Sequence, residues 1–153
     1  MTSVRRKRIK MWLVITATTA GLTLGGWYAY QVSAAFVGTL GVPCDRAAEF
    51  VRAAELPEGT HDRKCTTGQW MSISYELDFR APREEAEAWL RASYPDTELS
   101  RKYCSPADAC ARPQPKSVSE RDEKGRPLAD AVHVELYDED GGVAHVQISG
   151  WTI

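Results

Sequence analysis

Between Met71 and Arg80 the chain reads MSISYELDFR, so that Met71, Ile73, Tyr75, Leu77 and Phe79 alternate with Ser72, Ser74, Glu76, Asp78 and Arg80. A period of two places all the apolar side chains on one face of a strand and all the polar ones on the other. Such a strand needs paired neighbours and a covered face, because a slip of one residue would bury Glu76 and Asp78. The pattern returns twice near the C-terminus, in AVHVELYDEDGGVAHVQISGWTI, around an acidic turn that contains glycine. This is a hairpin signal. A type I turn over Asp138, Glu139, Asp140 and Gly141, with Gly141 left-handed, pairs Tyr137 with Val143. It sets Val132, Val134 and Leu136 against Ile148, Val146 and Ala144, and Glu135 against His145. An antiparallel sheet of at least three strands follows.

Two segments carry helical spacing instead. Asp45 can cap a helix in which Ala47, Phe50, Val51 and Ala54 fall on one side, ended by Pro57 and Gly59. Pro82 suits a first helical turn, Glu84 and Glu85 suit its positive end, and Ala86, Trp89, Leu90 and Ser93 share a face that stops before Pro95. Between these helices, PEGTHDRKC reads as turns leading to Cys65, while TELSRK, from Thr97 to Lys102, is at most a short, weakly patterned strand. The chain order is helix, strand, helix, strand, strand, which implies a two-layer α+β domain with two helices on one face of the sheet. Residues 104–130 hold Pro106, Pro113, Pro115, Pro127 and the charged run SERDEKGRP. They are expected to form a long, exposed, mobile loop, read as a tolerated insertion.

The N-terminus differs from all of this. Arg5, Arg6, Lys7, Arg8 and Lys10 precede a stretch without charge that runs to Asp45. From Met11 to Val32 a helix would reach about 33 Å, the thickness of a hydrocarbon core. Trp12 lies near one end and Trp27, Tyr28 and Tyr30 near the other, as interfacial aromatics would. The expectation is therefore a cytoplasmic basic tail (1–10), a single transmembrane helix acting as signal anchor (11–32), a tether (33–43) and an extracytoplasmic domain (44–153), all held in the cell membrane. Ala17, Gly21, Gly25 and Ala29 recur every four residues, a stripe that would let two such helices associate as a homodimer within the bilayer. The alternative is a secretory signal cleaved after Ala34, since Val32, Ser33 and Ala34 make an acceptable small-residue site. From Cys44 onward the chain holds all 21 acidic residues and 14 of the 19 basic ones, a net charge of −7, which argues against nucleic acid as a partner.

Cys44, Cys65, Cys104 and Cys110 are even in number and all lie in the exported part, the usage of an oxidising compartment. Sequence locality favours Cys44 with Cys65 and Cys104 with Cys110. No C-x-x-C pair points to zinc or to a redox centre. His61 reads as a turn residue, and His133 and His145 fall on the wet face of the hairpin. No nucleophile elbow, phosphate loop or H-E-x-x-H pair is present, so no catalytic residue, cofactor or metal ligand is assigned. Trp70, Tyr137 and Trp151, with Val143, stand out on the otherwise polar sheet face, either as a patch for a partner or as a surface covered by the long loop. The functional expectation is a single-pass membrane protein that displays a small binding or structural module, with the bilayer and another membrane or envelope protein as partners. A secreted binder or inhibitor is the alternative. An exported hydrolase or metal-dependent enzyme, using His133, His145 and nearby carboxylates, is the third reading.

Overall fold

The computed structural model describes residues 2–38, 40–115 and 117–153; the side chains of the basic tail lie outside that description. The chain divides into two compact units, Met1–Ala34 and Ala35–Ile153. The first belongs to one long helix, α1 (Thr2–Phe36). Threonine hydroxyls along it bond back to the preceding turn, as Thr19 does to the Ile15 carbonyl at 3.0 Å and Thr23 to that of Thr19 at 3.1 Å.

The expected membrane span is corrected here. Among the described residues no helix is long and apolar enough to cross a membrane. Length was met over 11–32, but Thr16, Thr18, Thr19, Thr23, Gly21, Gly25, Gly26, Tyr28 and Tyr30 dilute the aliphatic content that transfer into hydrocarbon requires. The single-pass localisation, the bilayer contact and the homodimer through the helix fall with the span. Ala17 and Ala29 are exposed along α1, and a Cβ built at Gly21 or Gly25 would meet nothing within 4 Å.

The second unit is built on β1 (Leu40–Gly41), α2 (Cys44–Phe50), β2 (His61–Gln69), β3 (Ile73–Pro82), α3 (Arg83–Ser93), β4 (Ala109–Ala111), β5 (Ala131–Glu139) and β6 (Val143–Trp151). The strands make one antiparallel sheet of six in the order β1-β2-β3-β6-β5-β4. The fold is thus α+β with three helices and two disulfides, the third helix being α1, which among its described residues is not apolar enough over a sufficient length to cross a membrane. The alternating run begins at Ile73, because Ser72 and its neighbours form the β2–β3 turn and leave Met71 exposed. Strand β2, whose first half to Cys65 reads as turns in the sequence, pairs with β3 from Cys65 opposite Leu77 to Gln69 opposite Ile73, with an irregularity between His61 and Lys64.

The C-terminal hairpin keeps its expected faces but slips by two residues. Glu139 pairs with Val143, Tyr137 with His145 and Val134 with Ile148. The cause is the turn: Gly141 and Gly142 both adopt positive φ, at 80° and 77°, which closes the hairpin within three residues and lets both strands run further.

The core lies between one sheet face and the helices. Phe79, Leu77, Val134, Leu136, Val146, Ile148 and Val51 are its largest fully buried side chains. Phe79 meets Trp89 of α3 edge-on at 5.2 Å, and Phe50 of α2 meets Tyr75 at 4.4 Å. Helix α2 is shorter than expected because Arg52 turns into the left-handed region at φ 62°. From there the Arg52 guanidinium reaches the carbonyls of Ala129 and Ser117 and the Glu120 carboxylate. The Asp130 carboxylate accepts the backbone N–H groups of Ile153 and Ser119, and the Ala129 N–H donates to Phe50. Segment 117–130 is therefore fastened to the end of α2. Gly150 makes the close approach possible, since a Cβ there would lie 2.8 Å from Val51 Cγ1 and 3.1 Å from Ala129 Cβ.

The disulfides join Cys44 to Cys65 and Cys104 to Cys110, with Cα atoms 5.2 and 5.5 Å apart. The first ties the start of α2 to β2. The second closes the irregular strap between α3 and β4.

Candidate functional site

Both helices of the second unit lie over the apolar side chains of β2, β3 and β6, so neither of these two helices covers the opposite sheet face. Register fixes what that open face displays. Asp78, Gln147 and Glu135 form one cross-strand row; Arg80, His145 and Tyr137 form the next; Glu76, Ser149 and His133 lie on the other side. These side chains are mostly half-buried, because each row shields its neighbours.

The rows are cross-linked. The Arg80 Nε–H donates to both oxygens of Glu139 at 2.9 and 3.0 Å, joining β3 to β5 across β6. His145 Nε2 lies 2.9 Å from Asp78 Oδ1, and the Gln147 amide donates to Asp78 Oδ2 at 3.1 Å. On its other side His145 Nδ1 is 3.8 Å from Glu139. The Tyr137 ring lies 5.6 Å from the His145 ring, and its hydroxyl donates to Glu135 at 3.1 Å. His133 Nε2 is 3.3 Å from the same carboxylate. Expected opposite Glu135, His145 instead takes Asp78 as its partner, a consequence of the two-residue slip.

Charge states follow from these contacts. The hydrogen bond from Arg80 holds the Glu139 carboxyl below the usual carboxylate range, helped by the nearby positive charge of Arg80. Burial, followed by the bond to Glu135, pushes the Tyr137 phenol up, so it remains a donor. Arg80 and Glu139 thus remain an ion pair at neutral pH. Beside it, Glu76, Asp78, His133, Gln147 and Ser149 line a shallow depression of about 160 Å³.

The residues read from the sequence as a partner patch are spread out. Tyr137 and Trp151 share the open face but stand three cross-strand rows apart, about 20 Å along β6. Trp70 sits in the β2–β3 turn, 72% exposed, with its ring edge-on to Phe36 at 5.3 Å. Both disulfide pairs stand apart from the open-face network as staples. Sequence reasoning missed Arg80, Glu139 and Gln147, whose only signal was membership of the polar half of an alternating strand.

Chemically the face can recognise charge and hydrogen-bond donors. His145 with Asp78 resembles half of a catalytic arrangement, yet the other ring nitrogen, Nδ1, lies 3.8 Å from the Glu139 carboxylate and not beside a hydroxyl or thiol. Among the described residues no group of His, Cys, Asp and Glu is placed to hold a metal ion. No family model, no curated protein and no solved structure matches the chain.

Proposed function

We propose that residues 35–153 act as an exported, disulfide-stapled binding module, released by cleavage after Ala34, which meets its partner with the open face of the sheet. This replaces the membrane-displayed module, for which no described helix is long and apolar enough. The observation that carries the reading is the bare, cross-linked face: Arg80, Glu139, His145, Asp78, Gln147 and Tyr137 each have a side-chain partner on it. Side chains already held in place lose little rotamer entropy when a partner arrives. Support for export comes from the two disulfides, with no free cysteine among the described residues. The boundary between the compact units coincides with the cleavage position, so release there would free the second unit entire. Support for binding over catalysis comes from the three histidines: His61 meets the Gly59 carbonyl, His133 meets Glu135 and His145 meets Asp78, and among the described residues none of them bonds to a serine, threonine or cysteine.

Mass spectrometry of the protein recovered from the medium tests release. A first residue of Ala35 supports it, and exported protein with peptides intact across Val32 to Phe36 overturns it. For the face, immobilised full-length chain and its Arg80→Glu, Gln147→Arg variant are compared for capture from the same medium. Loss of a captured protein in the variant places the contact on the sheet, whereas equal capture removes it from there.

A further inference from the structure

The two halves of the core are covered differently. Helices α2 and α3 pack on β2, β3 and β6, while Val134 and Leu136 of β5 lie beside the irregular strap 94–108 that runs between α3 and β4. Between that strap and α3 a groove of about 450 Å³ remains open. Its apolar lining includes Leu90, Leu99 and the ring of Tyr94. Tyr94 is a fixed wall, since its hydroxyl donates to the Val51 carbonyl at 2.8 Å, and burial pushes its phenol up so that this bond persists.

Charge at the groove is unevenly satisfied. Arg83 holds Glu87 at 3.1 Å and Asp138 at 2.8 Å. Arg91 lies 3.7 Å from Glu87, and Arg101 lies 3.8 Å from Glu87 and 3.9 Å from Asp138, with side chains 67% and 61% exposed. Their donors are therefore largely unspent. Glu98 also lines the groove and is exposed. An apolar wall thus lies beside two loosely held guanidinium groups and two carboxylates, of which Glu87 is held by Arg83 and Glu98 stands exposed.

We infer that this groove binds a free apolar α-amino acid, its carboxylate on Arg91 and Arg101, its ammonium on Glu98 and its side chain against Leu90, Leu99 and Tyr94. A guanidinium pair matches a carboxylate in both charge and fork geometry. A ligand bearing only the anion would meet Glu98 as a repulsive neighbour; one bearing only the cation would meet the arginines. The zwitterion satisfies all three, and the site lies on the helix side of the sheet, away from the open face.

Calorimetric titration of the full chain with L-leucine, with 4-methylpentanoate (leucine without its amine) and with isoamylamine (leucine without its carboxylate) tests this. Leucine is expected to bind at least about tenfold more tightly than either analogue. Arg101→Gln and Glu98→Gln, both at exposed positions, should each weaken leucine by about tenfold, and Glu98→Gln should leave 4-methylpentanoate binding as strong or stronger. Equal binding of the three compounds, no binding of leucine at millimolar concentration, or leucine binding untouched by both variants overturns the assignment.

Discussion

The two faces of the same sheet are held together by different physics. On one, Tyr75, Leu77, Phe79 and Ala81 of β3 join Ala144, Val146 and Ile148 of β6 and Val132, Val134 and Leu136 of β5 in a continuous buried layer. On the other, the intervening residues of those strands remain half-exposed and meet through named pairs: Arg80 with Glu139, His145 with Asp78, Tyr137 with Glu135. Apolar burial is non-directional and grows with area. Hydrogen bonds beside water contribute little net stability, but they fix direction. Stability should therefore reside in the first face and specificity in the second, and substitutions on each can break that division.

The largest effect is expected from Phe79→Ala. Phe79 has no exposed surface and packs edge-on against Trp89. Its truncation should cost about 3–5 kcal/mol in urea unfolding; a loss below about 1 kcal/mol would mean that the core face is not where stability lies. The disulfides come next. By loop-closure entropy the Cys44–Cys65 link, spanning 21 residues, should contribute about 3 kcal/mol, and the Cys104–Cys110 link, spanning 6, about 2 kcal/mol. Paired Cys→Ser variants would rank them by unfolding midpoint. A reversed order would show that the strap beside β5 matters more to the core than the tie between α2 and β2.

How much of this was legible depended on where each signal was stored. Strand β3 was readable because it is central and half-buried, so its alternation reports both environments at once. Strand β2 was not. Its outer half, His61 to Lys64, is exposed, whereas Cys65 and Thr66 are buried in succession, so no period of two survives. The β5–β6 hairpin revealed its faces but not its register, since a slip of two residues leaves every side chain on its own face. Two glycines in the turn decided the register. The pair formed by Arg80 and Glu139 had no local trace at all, because it links two strands that are not neighbours. At the N-terminus, length and flanking charge suggested a span that the threonine and glycine content does not support.

Acid should weaken the Arg80–Glu139 pair of the open face. Glu139 has a folded-state pKa below its unfolded value, which is about 4.3, and the first cause is the hydrogen bond from Arg80. Its contribution is therefore present above the unfolded pKa and is lost as pH falls through the folded one. Unfolding measured between about pH 5 and pH 2 should show stability falling with acidification, and Glu139→Gln should flatten that slope. Phe79→Ala should lower the whole curve and leave its slope unchanged. A Glu139→Gln variant with the parental slope would show that the Arg80 pair does not persist in solution.

The smallest effect is expected from Asp78→Asn, which is also the sharpest test of the division. Asp78 accepts from Gln147 and partners His145, and its side chain is 30% exposed. An asparagine retains the shape but loses the charge and one acceptor oxygen, so it can accept from Gln147 and keep the contact to His145 only if Nε2 of the imidazole becomes the acceptor of the amide N–H. The stability change should therefore stay within about 1 kcal/mol, while the ring of His145, freed from its carboxylate, should shift its NMR resonances and weaken whatever partner reads the face. A loss comparable to that of Phe79→Ala would mean that the polar network carries the fold as the core does, and the separation of stability from recognition would not hold. A silent variant in both stability and His145 resonances would mean that the dyad is not formed, and recognition would have to rest on Arg80 and Glu139 instead.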